Sequence, residues 1–317
     1  MSDAPTNDLP PLTLAWTDEA VEALRRVPSF VRRSVVRTVE AYAMLKGINE
    51  VTPATIAESK EAREKAGTEA EHAPGQGGQF PTPENDEQAP KRQFVSFFFF
   101  KIDPAWRRLP EGERAAHKAA FAEVWQKHAR GGEIICRSYS TVGVRSDVDF
   151  MLWRVSYKLD AIQDMTADLL KTPLGGYLAP GAHLLGMTKR SVYEDKLNPN
   201  HEDARLKIVP GRARYIFVYP FVKTRDWYLS TIDERQQMMD EHITVGSKYS
   251  RVKLNTTYSF GLDDQDFVVA FESNYPEDFL DLVQELRETK ASKHTVRDTP
   301  TYTCIARPID EALNLLG

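Results

Sequence analysis

Residues 238–249, MMDEHITVGSKY, place an imidazole in an apolar stripe: Met238, His242, Val245 and Tyr249 recur at i, i+4, i+7 and i+11, one face of a helix. Thr231 and Glu234 just upstream have the spacing of a capping box that would start this helix. An inward histidine is either a hydrogen-bonded core residue or a ligand for a metal or haem iron. The preceding stretch, RYIFVYPFVKTRDWY, alternates so that Tyr215, Phe217, Tyr219 and Phe221 share one face of a strand, and it then delivers Lys223 and Trp227 near the helix. Each has a plain structural use, Tyr219 and Trp227 in packing and Lys223 as a solvated charge at a strand end. Together an aromatic wall, a histidine, a lysine and a tyrosine suit a flat, apolar ring that bears carboxylates, such as a porphyrin.

These residues need a frame, and the chain repeats one. A helical pattern covers 1–65, with Thr17 as an N-cap and Val21, Leu24, Val27, Val31, Val35 and Val39 as its apolar positions. Residues 66–92 are rich in Gly, Pro, Glu and Gln, too polar to offset chain entropy, and read as a disordered linker. From Phe94 the periodicities spell β-α-β-β-α-β, and from Arg212 the same order returns. GVRSDVDFMLWRVS from Gly143 matches GLDDQDFVVAFES from Gly261, each a glycine turn with acidic residues leading into Asp-Phe and a strand. The expected fold class is α+β, with two fused ferredoxin-like units over 93–205 and 206–317, antiparallel sheets packed on each other, and a small all-helical module in front. The site then falls between the second sheet and its own helices.

Composition sets outer limits. The 317 residues are 41% hydrophobic and 27% charged with a net charge of -5, so long-range attraction to nucleic acid or an anionic membrane is not expected. The amino terminus lacks the pattern of a signal peptide and no apolar run is long enough to span a bilayer, which together imply a cytoplasmic protein. Cys136 and Cys304 lie in strand-like runs and read as reduced core thiols.

YPFVKTRDWY, ERQQMMDEHITVGSKY and SFGLDDQDFVVAFE resemble, in order and spacing, the chlorite dismutase superfamily, and within it the coproheme decarboxylases of haem biosynthesis, from about Gln93 to Gly317. The resemblance implies that His242 is the proximal iron ligand and Tyr219 the redox-active tyrosine, that Lys223 binds a propionate, that Trp227 lines the pocket, and that Tyr193 touches propionates. It implies iron coproporphyrin III as substrate and redox centre, hydrogen peroxide as oxidant and haem b as product, through a tyrosyl radical that takes hydrogen from a propionate β-carbon. It also implies a homo-oligomer, a homopentamer in many members, and handover of the porphyrin from a ferrochelatase.

Two departures from chlorite dismutases bear on the choice of reaction. The arginine they place above the iron falls on Leu254, and the glutamate partner of their histidine falls on Ala291. A neutral distal residue cannot polarise chlorite, which favours decarboxylase over chlorite lyase. Leu254 cannot handle peroxide; His201, about a strand's length before Tyr219, is either a loop residue that reaches over to do so or a solvated loop histidine. The alternatives are a chlorite- or peroxide-consuming haem enzyme of the same fold, a haem carrier or sensor in which Tyr219 only packs, and a scaffold with no haem. The amino-terminal LAWTDEAVEALRRVPSFVRRSVVRTVEAYAMLKGINEVTPATI is similar to the small domain at the carboxy end of the B subunit of dark-operative protochlorophyllide reductase.

Overall fold

The computed structural model describes residues 9–27, 29–71, 92–197 and 207–317. Most of the segment read as a linker, and His201, lie outside the described residues. The chain forms two compact units, Met1–Asp86 and Glu87–Gly317.

The first unit holds α1 (Asp18–Arg25), α2 (Ser29–Leu45) and α3 (Pro53–Glu71), the last running past Lys65. Thr17 caps α1 by accepting the Ala20 N–H, and Ala20, Val39, Ala43 and Val51 form its core. The unit is not purely helical, because β1 (Ala15–Trp16) pairs in parallel with β2 (Glu50–Val51). The cause is the buried carboxylate of Glu40, which accepts the N–H groups of Thr13 and Leu14 at 2.8 and 3.1 Å and the Trp16 indole N–H at 3.0 Å. Those bonds hold the segment before α1 extended beside residues 50 and 51.

The second unit begins with β3 (Phe94–Ile102), α4 (Glu111–Arg130), β4 (Ile134–Ser140), β5 (Phe150–Ser156), α5 (Leu159–Leu170) and β6 (Leu178–Met187). It continues with β7 (Tyr215–Lys223), α6 (Arg225–Leu229), α7 (Ile232–Ser247), β8 (Lys253–Tyr258), β9 (Phe267–Ser273), α8 (Pro276–Arg287), β10 (Thr295–Arg297), β11 (Tyr302–Ala306) and α9 (Ile309–Asn314). Each half has the ferredoxin-like order, β4-β5-β3-β6 and β11-β7-β9-β8, all antiparallel. The two sheets do more than pack face to face. Their edges join, β4 to β11 at two residue pairs and β6 to β8 at one, Met187 with Tyr258, which closes the eight longer strands into a barrel with β10 outside on β7. Closure removes the exposed edges that separate sheets would carry.

Alternation along the strands sorts the side chains. Val95, Phe97, Phe99, Trp153, Ile216, Val218, Val268, Ala270 and Cys304 point into the barrel and form its core. On the outside of the first half, Phe98, Phe100, Phe150 and Leu152 are sealed by Phe121 of α4, Met165 and Leu169 of α5 and Leu313 of α9. Cys136 and Cys304 are buried free thiols, as the sequence implies.

The duplication holds atom by atom at the matched turns. Gly143 and Gly261 have φ of 76° and 72°, a left-handed conformation that favours glycine. The Asp149 N–H donates to Phe100 O at 2.8 Å and its carboxylate accepts the Ile102 N–H at 2.9 Å. The Asp266 N–H donates to Phe221 O at 3.1 Å and its carboxylate accepts the Lys223 N–H at 2.8 Å. Phe98, Phe100 and Ile102 of β3 therefore correspond to Tyr219, Phe221 and Lys223 of β7.

Candidate functional site

That correspondence locates the site. In the first half the outer face of the sheet is shut, with Phe98 6% exposed and Phe100, Phe121 and Phe150 at 0%. In the second half Tyr219, Phe221 and Phe267 are only half-buried, and α7 buries none of its residues fully. The register sets three rows across this face: Phe217–Phe271–Leu254, Tyr219–Val269–Thr256 and Phe221–Phe267–Tyr258. Phe279 and Leu282 of α8 close over the first row, and the Phe217 and Phe279 rings stack at 4.0 Å. The other two rows are less covered: Tyr219, Phe221 and Phe267 are half-buried, as are Val245 and Tyr249 of the α7 face, which pack against the same cluster. The aromatic sheet face and the half-buried helix stripe bound the candidate cleft, an arrangement suited to a flat ligand.

The helix that brings His242 to this cleft starts as the sequence implies. The Thr231 side chain accepts the Glu234 N–H, and the Glu234 carboxylate accepts the Thr231 N–H at 2.8 Å. Met238, His242, Val245 and Tyr249 follow on one half-buried face. Burial and the nearby Lys223 ammonium push the His242 pKa down to about 4, so the imidazole is neutral at pH 7, the form in which it binds a metal. Neither of its ring nitrogens has a hydrogen-bond partner among the described residues. His242 is thus not a satisfied core histidine.

Tyr219 sits in the middle row, with the Phe271 ring at 6.2 Å and the Phe221 ring at 6.5 Å. Burial raises its pKa, with Asp298 adding to the effect and Arg287 opposing it, and its hydroxyl too has no partner among the described residues. Lys223 is held differently from a strand-end charge. Its Nζ donates to Ala291 O at 2.8 Å and lies 4.3 Å from the centroid of the Trp227 ring. Ala291 is buried in a 3-10 turn, Lys290–His294, that packs on α7, so a backbone carbonyl takes the lysine where a carboxylate side chain is lacking.

Burial lowers the Lys223 pKa to about 8. Between that value and 10.5 the unfolded chain binds more protons than the folded one, so this residue makes the fold more stable as pH rises through that window and less stable below it. With the lysines labelled as 13C-dimethyl derivatives, one resonance is expected to titrate near 8 in the ligand-free protein and to vanish in Lys223→Met. A lysine spectrum titrating entirely near 10.5 contradicts the assignment.

Trp227 is 2% exposed and anchors the near end, meeting the Tyr193 ring edge-on at 6.1 Å and the His294 ring at 5.5 Å. Tyr193 belongs to the segment after β6, which is tied to α7 by the Glu194 N–H donating to Gln236 Oε1 at 3.0 Å and by Lys196 with Asp240 at 2.6 Å. The structure thus gathers Tyr193, Tyr219, Lys223, Trp227 and His242 around one cleft. Leu254 is on the same face of the sheet but 53% exposed, in the row that α8 covers. Thr256, not singled out in the sequence, is the β8 residue level with Tyr219, and its hydroxyl is without a partner among the described residues. Asp266 was hidden in an acidic turn; it accepts from the Lys223 N–H and, at 2.7 Å, from the Tyr228 hydroxyl, which fixes β7 and α6 together.

Two ferredoxin-like units closed into one barrel, with the helix layer of the first half sealed and that of the second only half-buried around His242, define an α+β barrel protein. The model of the chlorite dismutase family matches residues 114–307, and the chain belongs to that family. It is 30% identical over 213 residues to the coproheme decarboxylase of Mycolicibacterium smegmatis, covering 67% of this chain and 88% of the relative. It is 29% identical over 229 residues to the chlorite dismutase of Ideonella dechloratans, covering 71% and 80%. Among solved structures, a variant of the chlorite dismutase of Candidatus Nitrospira defluvii superposes with a TM-score of 0.64 at 28% identity, covering 70% of this chain and 94% of that one. Residues 16–60 match the model of the protochlorophyllide reductase 57 kD subunit. No helix among the described residues is long and apolar enough to cross a membrane.

Proposed function

We propose that the chain is a coproheme decarboxylase that converts iron coproporphyrin III to haem b with hydrogen peroxide as oxidant. The observation that carries this reading is the pairing of a neutral His242 with a Tyr219 hydroxyl, both without a hydrogen-bond partner among the described residues, on a face whose duplicate in the first half is filled with side chains. The similarity to the Mycolicibacterium enzyme supports the choice of substrate. The residues present fit the ring. His242 would offer one imidazole nitrogen to the ring's iron, and no cluster of three or more His, Cys, Asp or Glu side chains competes for a bare metal ion among the described residues. Tyr219, Phe221 and Phe267 offer an apolar wall.

Bound iron porphyrin supplies the redox chemistry with peroxide. Tyr219 gives up an electron and its phenolic proton, and the resulting tyrosyl radical takes a hydrogen atom from the β-carbon of a propionate. Loss of one further electron and of carbon dioxide leaves a vinyl group. For each propionate one peroxide accepts both electrons and becomes two waters. Lys223 spends one N–H on Ala291 O and keeps the others for a carboxylate, which it would hold by a charge-assisted hydrogen bond. Tyr193 and Trp227 shape that end of the cleft. Homo-oligomeric assembly, a cytoplasmic site of action and receipt of the porphyrin from a ferrochelatase belong to the same reading.

The test is anaerobic reconstitution with iron coproporphyrin III, titration with peroxide and mass spectrometry for two successive losses of carbon dioxide with two hydrogens. Return of unchanged porphyrin rejects the reading and favours a haem carrier. The similarity to a chlorite dismutase raises chlorite breakdown as the second reading. With the neutral, exposed Leu254 in place of a distal cation, the haem-loaded chain is expected to release little dioxygen from chlorite at an oxygen electrode. Rapid dioxygen release would move the assignment to chlorite.

A further inference from the structure

Arg235 lies on the same face of α7 as His242, seven residues or about 10 Å nearer the helix start, and in register with Met238, His242, Val245 and Tyr249. It is half-buried, its Nε is shut away from solvent, and its guanidinium makes no hydrogen bond or ion pair among the described residues. That is costly for a group whose donors are ordinarily all satisfied when withdrawn from water. It also stands in the first turns of a helix, the end that disfavours cations.

Acids on α7 and in the turn before β9 are bonded to other groups. Glu234 closes the capping box with Thr231, through the Thr231 N–H at 2.8 Å and hydroxyl at 2.9 Å. Asp240 binds Lys196 at 2.6 Å and Gln236 at 2.7 Å. Asp266 takes the Lys223 N–H and the Tyr228 hydroxyl. A partly desolvated guanidinium with no partner among the described residues, next to acids that bond to other groups, is suited to an anion carried in by a ligand.

Resting on the porphyrin reading above, we propose that Arg235 is a binding residue that grips a carboxylate of the porphyrin at the α6 end of the cleft, while His242 holds the centre of the ring. The spacing suits the ligand, since a ring carboxylate hangs several ångströms out from the central metal and the arginine stem spans the rest. The planar fork of a guanidinium meets a carboxylate through two parallel N–H···O bonds, which fix the rotation of the ring in its plane as well as its affinity. Rotation decides which propionate faces Tyr219. Arg235 would therefore set the order of the two reactions, in addition to binding.

The test uses the full-length chain, with Arg235→Gln and Arg235→Lys, titrated with iron coproporphyrin III and with its uncharged tetra-amide. Binding is followed by the Soret band and by quenching of tryptophan fluorescence. Arg235→Gln is expected to weaken the acid porphyrin about 10–100-fold, the range for losing a hydrogen bond to a charged group. The same variant should bind the tetra-amide as the wild-type chain does, and Arg235→Lys should recover part of the loss. An equal penalty for both ligands, or none for the acid, overturns the inference and leaves the porphyrin reading standing. A wild-type chain that binds neither porphyrin rejects that reading itself. Circular dichroism spectra and melting midpoints of the two variants that match wild type assign the differences to binding; if Arg235→Gln fails to fold, Arg235→Lys with the two ligands still decides.

Discussion

Tyr219→Phe is expected to bind iron coproporphyrin III as the wild-type chain does and to lose at least about 100-fold in the rate of the first decarboxylation, the scale for removing a group that acts only in the transition state. The substitution deletes one oxygen, and that hydroxyl bonds to nothing in the described protein, so no buried partner is left orphaned and the middle row of the sheet keeps its ring. Binding and chemistry should therefore separate cleanly. Fluorescence quenching reads the first, mass spectrometry after a peroxide pulse reads the second, and freeze-quench electron paramagnetic resonance should show a tyrosyl signal in wild type that the variant lacks. Ordinary yields of haem b from Tyr219→Phe would reduce this residue to packing.

His242→Ala should have the larger effect on binding. Changes to groups that merely support a metal ligand cost about 10–100-fold in affinity, and loss of the ligand itself should cost more. The imidazole leaves a hole facing the cleft, so the loss should be recovered in part by free imidazole added to the buffer. Because the helix around it buries no residue fully, the melting temperature of the ligand-free protein should hardly move. An unchanged iron spectrum in His242→Ala would return the histidine to a packing role.

How much of this was legible in the sequence depends on which physical signal each feature leaves. The duplication was, because a glycine turn followed by Asp-Phe is required twice by the same hydrogen bonds, at Asp149 and Asp266. The cap of α7 was, because Thr231 and Glu234 satisfy the same backbone groups in any such helix. Barrel closure was not. It rests on three residue pairs between edges far apart in sequence, which no periodicity records. The strand β6 runs through Pro180 and Gly181, a pair that reads as loop in the sequence; a Cβ at position 181 would meet Val148 Cγ1 at 2.7 Å. The elements α6, β10 and α9 are too short to show a period. Lys223 and His242 could be picked by type and spacing, but Arg235 could not, because an arginine in the first turns of a charged helix looks like solvated surface. Its one signal was the seven-residue interval to His242.

The contrast between the two halves also bears on what a bound ring would do for the protein itself. The first half completes its outer layer with Phe98, Phe100, Phe121 and Phe150, whereas the second leaves Tyr219, Phe221 and Phe267 half-wet. On the reading proposed above, a porphyrin under α7 would be the missing tile of that layer, a structural component as well as a reactant for as long as it stayed. Folding and catalysis would then be coupled through one molecule: turnover that trimmed the ring's carboxylates would loosen the tile, and the protein would give up part of its own stability each time it let the product go.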